Sequence, residues 1–227
     1  MADAPSNPLV KICGLKDAHM AVAAAAAGAD FLGFVFVPKS LRAITPEAAE
    51  EIVLEVKQAS HDEGIALPKF VGLFVNAGES LLAEAAPFLT HFQFHGAEDA
   101  ERVAQVGAEF GVETIKAIGV ESASDIEAAS PFVDAADILL FDAKPPKGTT
   151  VTGGRGVAFD WSILSSYQQE TPFLVAGGLS PENAADAIGA AKAIPGFLGV
   201  DVSSGVEAGP GKKDKALIEE FIKATRS

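Results

Sequence analysis

The sequence is short of positive charge. Its 17 Lys and Arg face 31 Asp and Glu, for a formal net charge of -14. No basic patch is dense enough to neutralise nucleic-acid phosphates, and an anionic membrane surface would repel the chain. Neither nucleic acid nor membrane is expected as a partner. An anionic small molecule requires a local positive site inside this negative field. Cysteine is almost missing. Cys13 is the only one, which excludes an intrachain disulfide and fits a reducing, cytoplasmic setting. The opening MADAPSNP lacks the charged and apolar regions of a secretion signal. No apolar run reaches the ~18 residues of a membrane-crossing helix. AVAAAAAGA reads as Ala-rich helix instead. Neither a Walker-type loop nor a GxGxxG fingerprint follows a strand-like run. The four histidines, His19, His61, His91 and His95, lack metal-ligand spacing apart from the His91/His95 pair, which falls on a strand. No metal and no nucleotide cofactor are expected.

What is present is a regular alternation. Hydrophobic residues make up 48% of the chain and charged residues 21%, enough apolar material for a sizeable core. Strands are expected at 9–13, 30–37, 69–75, 91–95, 113–118, 137–141, 173–176 and 197–202. Helices are expected between and after them, at 16–27, 46–60, 80–86, 99–107, near 124–129, near 161–167, from 181 and at 212–225. Thr45 reads as a helix cap with Pro46 at the first helical position, and Ser180 with Pro181 reads the same way. Repeated strand–helix units with apolar strands imply a parallel sheet. Eight units without a linker or composition break favour one closed (β/α)8 barrel over an open sheet. The expected domain is therefore the whole chain, 1–227, with residues 1–8 as a short polar tail.

Chemistry in such a barrel sits at the C-terminal strand ends. Those ends carry Cys13, Arg42, His95, Asp142 and Asp201. Alternation along a strand puts Lys11 with Cys13 on one face, and Gln93 with His95. Cys13 reads either as a small buried hydrophobe or as a thiol base whose thiolate Lys11 favours. Asp142 ends the run ILLFD. It reads as a loop hydrogen-bonder or as a proton donor kept protonated by apolar walls. Arg42 is a solvated loop cation or a bidentate partner for a substrate carboxylate. His95 ranks last as a catalyst, and Asp201 orients either a substrate group or its own loop. The seventh and eighth strands end in Gly177-Gly178 and Ser203-Ser204-Gly205. Small residues let backbone N–H groups approach a ligand, so a phosphate is expected across these two turns, at a place where barrel phosphate sites recur.

These motifs, taken in order, resemble the phosphoribosylanthranilate isomerase family. The resemblance runs from Val10 to about Arg226. It rests on VKICGL (Val10–Leu15), GADFLGFVFVPKSLRAIT (Gly28–Thr45), VGLFVN (Val71–Asn76) and FQFHGAE (Phe92–Glu98). LLFDA (Leu139–Ala143), GGRGVAFDW (Gly153–Trp161), AGGLSPEN (Ala176–Asn183) and GVDVSSGVEAGPGKKD (Gly199–Asp214) complete it. The combination of KICG and SSGVE at the right strand ends is the specific part. Arg155 and Phe94 depart from the usual pattern, Arg155 standing where a small hydroxyl residue is more common. The resemblance implies an Amadori rearrangement of a phosphosugar–anthranilate conjugate without a cofactor. It implies Cys13 as general base, Asp142 as general acid and Arg42 on the anthranilate carboxylate. The phosphate is implied on the turns at Gly177-Gly178 and Ser203-Ser204-Gly205.

Overall fold

Short apolar runs rich in Val, Ile, Leu and Phe, each bounded by Gly, Pro or Asp, set the strands of this protein. A computed structural model describes residues 7–144 and 159–226. The strands are β1 (Leu9–Cys13), β2 (Phe31–Val35), β3 (Lys69–Phe74), β4 (His91–Phe94), β5 (Glu113–Val120), β6 (Ile138–Ala143), β7 (Phe173–Val175) and β8 (Phe197–Val202). All eight pair in parallel and in chain order. β8 returns to β1 and closes the barrel, with Leu9 opposite Gly199 and Lys11 opposite Asp201.

Helices cover the outside. They are α1 (Ala18–Ala27), α2 (Pro46–Glu63), α3 (Glu79–Ala85), α4 (Ala100–Phe110), α5 (Ala123–Glu127), α6 (Ala184–Ala191) and α7 (Lys215–Ala224). A 3₁₀ helix, Trp161–Ser166, stands between β6 and β7. Side chains cap the N-termini of four of them: Asp17 accepts from Met20 N, Thr45 from Ala48 N, Asp99 from Arg102 N and Asp214 from Leu217 N. Each bond satisfies a backbone donor that the helix cannot reach itself. Among the described residues no helix is long and apolar enough to cross a membrane.

Two expected helix starts are corrected. Residues 181–183 form a turn, and α6 begins at Ala184 with Asn183 at its cap. Ser180 keeps part of a cap, since its carbonyl accepts from Asn183 N and Ala184 N and Asn183 Oδ1 accepts from Ser180 N, but its hydroxyl is engaged by the Glu182 side chain. The last helix begins at Lys215, because Lys212–Lys213 (β10) pairs antiparallel with Glu207–Gly209 (β9). Gly211, at φ +72, makes the turn between them.

Strand alternation gives two apolar layers. Phe31, Val71, Ile115, Ala117, Ile138, Leu140, Leu174 and Ala176 fill the lumen. The intervening residues, among them Val10, Ile12, Leu32, Phe34, Phe70, Phe74, Phe92, Leu139 and Phe141, pack outward against the helices. At the N-terminal ends of the strands, side chains serve neighbouring backbones. Asp30 Oδ2 accepts from Val10 N at 2.8 Å, Thr90 Oγ1 from Phe70 N at 2.8 Å, and Asp137 Oδ2 from Thr114 N at 2.7 Å.

His91 is buried at this end, with Nε2 2.7 Å from Glu113 Oε2 and Nδ1 2.8 Å from Thr90 Oγ1. Burial pushes the imidazole below its ordinary 6.5, and Glu113 offsets only part of that. The unfolded chain therefore takes up this proton first as pH falls. Stability from this site is complete above the unfolded value and is lost as pH drops below it toward the folded value. The thermal midpoint should fall between about pH 7 and pH 5, and His91→Gln should flatten that fall. Equal pH slopes in wild type and variant would show that His91 is not responsible.

Candidate active site

β1 delivers Lys11 and Cys13 to the C-terminal part of the lumen. Gly14 N and Leu15 N both donate to Gly33 O, which ends the strand beside β2. Gly33 stands opposite Cys13. A Cβ on Gly33 would come within 3.1 Å of Cys13 Sγ and 3.3 Å of Lys11 Nζ, so its missing side chain makes room for both. Lys11 is fully buried and its Nζ donates to Asp201 Oδ1 at 2.8 Å. Burial works to lower the Lys11 ammonium. Attraction to Asp201 and then Cys13 outweighs it, and the group sits above its ordinary 10.5.

Lys11 does favour the Cys13 thiolate, yet it does not win. Burial pushes the thiol above its ordinary 9.0. Lys11 pulls it back, Asp201 pushes it up and Lys213 pulls it down. Lys11 thus favours the thiolate as expected, but burial, with the Asp201 charge added to it, keeps the thiol above its ordinary value in the free protein. Asp201 itself is the ion-pair partner of Lys11, which the sequence did not reveal.

Arg42 is not a solvated cation: its side chain is 13% exposed. Gly14, at φ +83, lets the stem lie across the end of β1, and a Cβ there would fall 2.6 Å from Arg42 Cδ. The guanidinium is already engaged on one edge. Nε donates to Glu207 Oε1 at 2.6 Å and Nη2 to Glu207 Oε2 at 2.8 Å. Glu207 also accepts from Lys213 Nζ at 3.0 Å and Gly211 N at 2.9 Å. Burial works against its charge, but Arg42 and Lys213 hold the carboxyl down to about 2. Lys213, buried like Glu207, sends a second bond to Ser203 O at 2.8 Å. Burial leaves this ammonium below its ordinary 10.5, though Glu207 raises it. Sequence reasoning missed Glu207 and Lys213. Glu207 closes the SSGVE motif and Lys213 lies in the Gly-rich stretch after it, but neither place in the sequence announces a role.

Asp142 faces an imidazole and not apolar walls alone: its Oδ2 lies 3.4 Å from His95 Nε2. Strand alternation explains the meeting, since both side chains end inward-facing series, Gln93/His95 and Leu140/Asp142. Gly177, at φ +82, closes over this acid. A Cβ there would reach 2.9 Å from Asp142 Oδ1 and 2.3 Å from Ala143 N. The turns after β7 and β8 interlock, for a Cβ on Gly205 would lie 1.8 Å from Leu179 O. Gly178 and Ser180 are fixed in turn by Asn183, which donates from Nδ2 to Gly178 O at 2.9 Å and accepts from Ser180 N at 2.8 Å. Gly177, Gly178, Ser203, Ser204 and Gly205 thus form one continuous rim.

On the outward face of β5, Lys116 makes a buried ion pair with Glu98 at 3.0 Å. Glu98 also accepts from Asn76 N at 2.6 Å and Gly96 N at 2.8 Å, bracing the loops after β3 and β4. Arg155 lies outside the described residues. Among those described, no group of three or more His, Cys, Asp or Glu is placed to hold a metal ion.

A closed barrel whose ionisable side chains gather at the C-terminal strand ends defines a (β/α)8-barrel enzyme. Comparison with known proteins narrows the class. Residues 10–224 match the family described as N-(5'phosphoribosyl)anthranilate (PRA) isomerase. An N-(5'-phosphoribosyl)anthranilate isomerase of Rhodospirillum rubrum is 44% identical over 223 residues, covering 97% of this chain and 99% of the relative. That of Paracoccus denitrificans is 46% identical over 215 residues, covering 94% of each. The crystal structure of the Thermotoga maritima phosphoribosyl anthranilate isomerase superposes with a TM-score of 0.80 at 36% identity, covering 96% of this chain and 98% of the other. A phosphoribosyl anthranilate isomerase in complex with reduced 1-(o-carboxyphenylamino)-1-deoxyribulose 5-phosphate superposes at 0.77 with 34% identity, covering 96% and 98%. The chain belongs to the N-(5'-phosphoribosyl)anthranilate isomerase family.

Having one cysteine makes the electrostatics measurable. The ultraviolet absorbance of the Cys13 thiolate should titrate above 9.0 in the free protein, and higher still in Lys11→Met. The single Trp and Tyr simplify the background, and Tyr167 is itself raised above its ordinary 10.0. A wild-type midpoint below 9.0 would mean that the cations outweigh burial.

Proposed function

We propose that this enzyme catalyses the Amadori rearrangement of N-(5-phosphoribosyl)anthranilate to 1-(2-carboxyphenylamino)-1-deoxyribulose 5-phosphate in tryptophan biosynthesis. The observation that carries the reading is the family match across residues 10–224, which includes every strand end named above. In this reading the whole chain, 1–227, works as one (β/α)8 domain in the cytoplasm. Its partner is a small phosphosugar–anthranilate molecule, not nucleic acid or membrane, and it uses no cofactor.

Asp142 acts as general acid and protonates the furanose ring oxygen. The C1–O bond breaks, and the anthranilate nitrogen donates its lone pair to form an iminium. Cys13 acts as general base and removes the proton from C2. The C2–H electrons form the C1–C2 double bond of an enolamine and neutralise the iminium nitrogen. Proton movement from the C2 hydroxyl to C1 then gives the aminoketose. Because the electron sink arises in the substrate, no external one is needed. The buried thiol fits this sequence. In the free site it is a neutral thiol; on substrate binding its proton leaves to solvent, and the positive charge of the iminium then favours the thiolate that takes the C2 proton.

The remaining residues bind. Arg42 offers the substrate carboxylate the guanidinium edge that Glu207 leaves open. The rim of Gly177, Gly178, Ser203, Ser204 and Gly205 receives the phosphate. His95 steadies Asp142, while Asp201 sets Lys11 beside the thiol and faces the sugar.

Cys13→Ala and Asp142→Asn should each lower kcat by about 10²–10⁴-fold with product affinity largely kept. Near-normal kcat in either variant would remove that residue from the reaction. Arg42→Ala should lower kcat/KM by roughly ten- to a hundredfold on full substrate and much less on an analogue lacking the carboxylate. Equal losses on both would show that Arg42 does not bind that group. Substrate and product should have equal mass, and chelator should leave turnover unchanged.

A further inference from the structure

Glu207 lies outside the acid–base pair, yet among the described residues it has more polar partners than either member. Its side chain is 3% exposed and accepts from Arg42 Nε, Arg42 Nη2, Lys213 Nζ and Gly211 N. A carboxylate buried this deeply is costly unless its partners are fixed. Here one charge is shared by two cations that serve different ends of the site. Arg42 reaches it from the loop after β2, across Gly14. Lys213 reaches it from β10 and spends a second donor on Ser203 O, the first residue of the turn after β8.

We infer that Glu207 is a positioning residue that sets the spacing between the two anionic anchors of the substrate. It holds one guanidinium edge flat so that the other edge meets the substrate carboxylate in a single orientation. Through Lys213 it ties that orientation to the turn that takes the phosphate. The geometry favours this over a simple strap. A strap needs one contact, whereas Glu207 uses both of its oxygens in the bidentate pair with Arg42 and still reaches the neighbouring turn through Lys213. Two cations against one carboxylate also leave the cluster net positive, as an anionic ligand requires inside a chain of net charge -14. A molecule with only one anionic end cannot use this spacing, so Glu207 sets specificity for doubly anionic substrates.

This inference rests on the isomerase reading, and the experiment separates the two. Steady-state kinetics are measured for wild type, Glu207→Gln, Arg42→Ala and the double variant, on full substrate and on the analogue lacking the carboxylate. Glu207→Gln should lower kcat/KM on full substrate by roughly ten- to a hundredfold, mostly through KM. On the analogue, and in the Arg42→Ala background, the same change should cost less than about threefold, because the residue through which it acts is already idle. Glu207→Asp keeps the charge and should recover part of the loss. It replaces Gln in the same cycle if the Gln variant does not fold, as judged by its thermal transition. Equal losses with and without Arg42, or with and without the substrate carboxylate, would overturn the assignment and leave Glu207 a structural strap. Wild type without turnover would overturn the isomerase reading and this inference with it.

Discussion

The barrel exists only if its first and last strands meet, and the Lys11–Asp201 ion pair sits on that seam. The two residues are 190 apart in sequence and face each other in register across β1 and β8. Both are buried, so neither charge has water to fall back on if the seam opens. Removing one partner of such a pair typically costs about 3–5 kcal/mol, because the other is left uncompensated. The pair also fixes Lys11 one inward-facing step from Cys13. Closure of the sheet and the electrostatic setting of the thiol are therefore one event: the charge that tunes the site arrives only when the last strand does.

The whole-chain charge and the local charge have opposite signs. Lys11, Arg42 and Lys213 converge on the β1–β8 side of the mouth against only Asp201 and Glu207. Burial concentrates these interactions, since low-dielectric surroundings weaken screening. The same burial holds the Cys13 thiol in its neutral form in the free protein. In the proposed reaction, a thiol kept neutral until substrate binds has little tendency toward side reactions.

Much of this was legible in the sequence because it depends on spacing along the chain. Alternation within KIC, QFH and LLFD fixes which side chains share the lumen, and Thr45-Pro46 fixes the start of α2. What escaped depends on partners far away in the chain. Nothing in VEAGPGKKD says that Glu207 will receive Arg42, 165 residues earlier. Ser180-Pro181 carries a proper helix-start signal, but the Ser180 hydroxyl goes to the Glu182 side chain and regular helix starts at Ala184. Lys212 and Lys213 look like the first turn of a helix, and the Gly-Pro-Gly before them folds them back as a strand. The strand end of Cys13 and the pull of Lys11 on its thiolate were legible, but the burial that outweighs that pull, and the Asp201 charge beside it, exist only once the barrel closes.

The three polar side chains at the base of the barrel have a consequence of their own. Asp30, Thr90 and Asp137 each bind the backbone of an adjoining strand rather than their own. A strand that slipped by one residue would offer the wrong amide to its neighbour and turn its side chains to the wrong face. The bond would be lost at the same time as the alternation. These residues act as a parity check, testing at three separate joints whether the chain has been counted correctly. The check lies at the opposite end from the mouth, so loops there can be rewritten without disturbing the count beneath them.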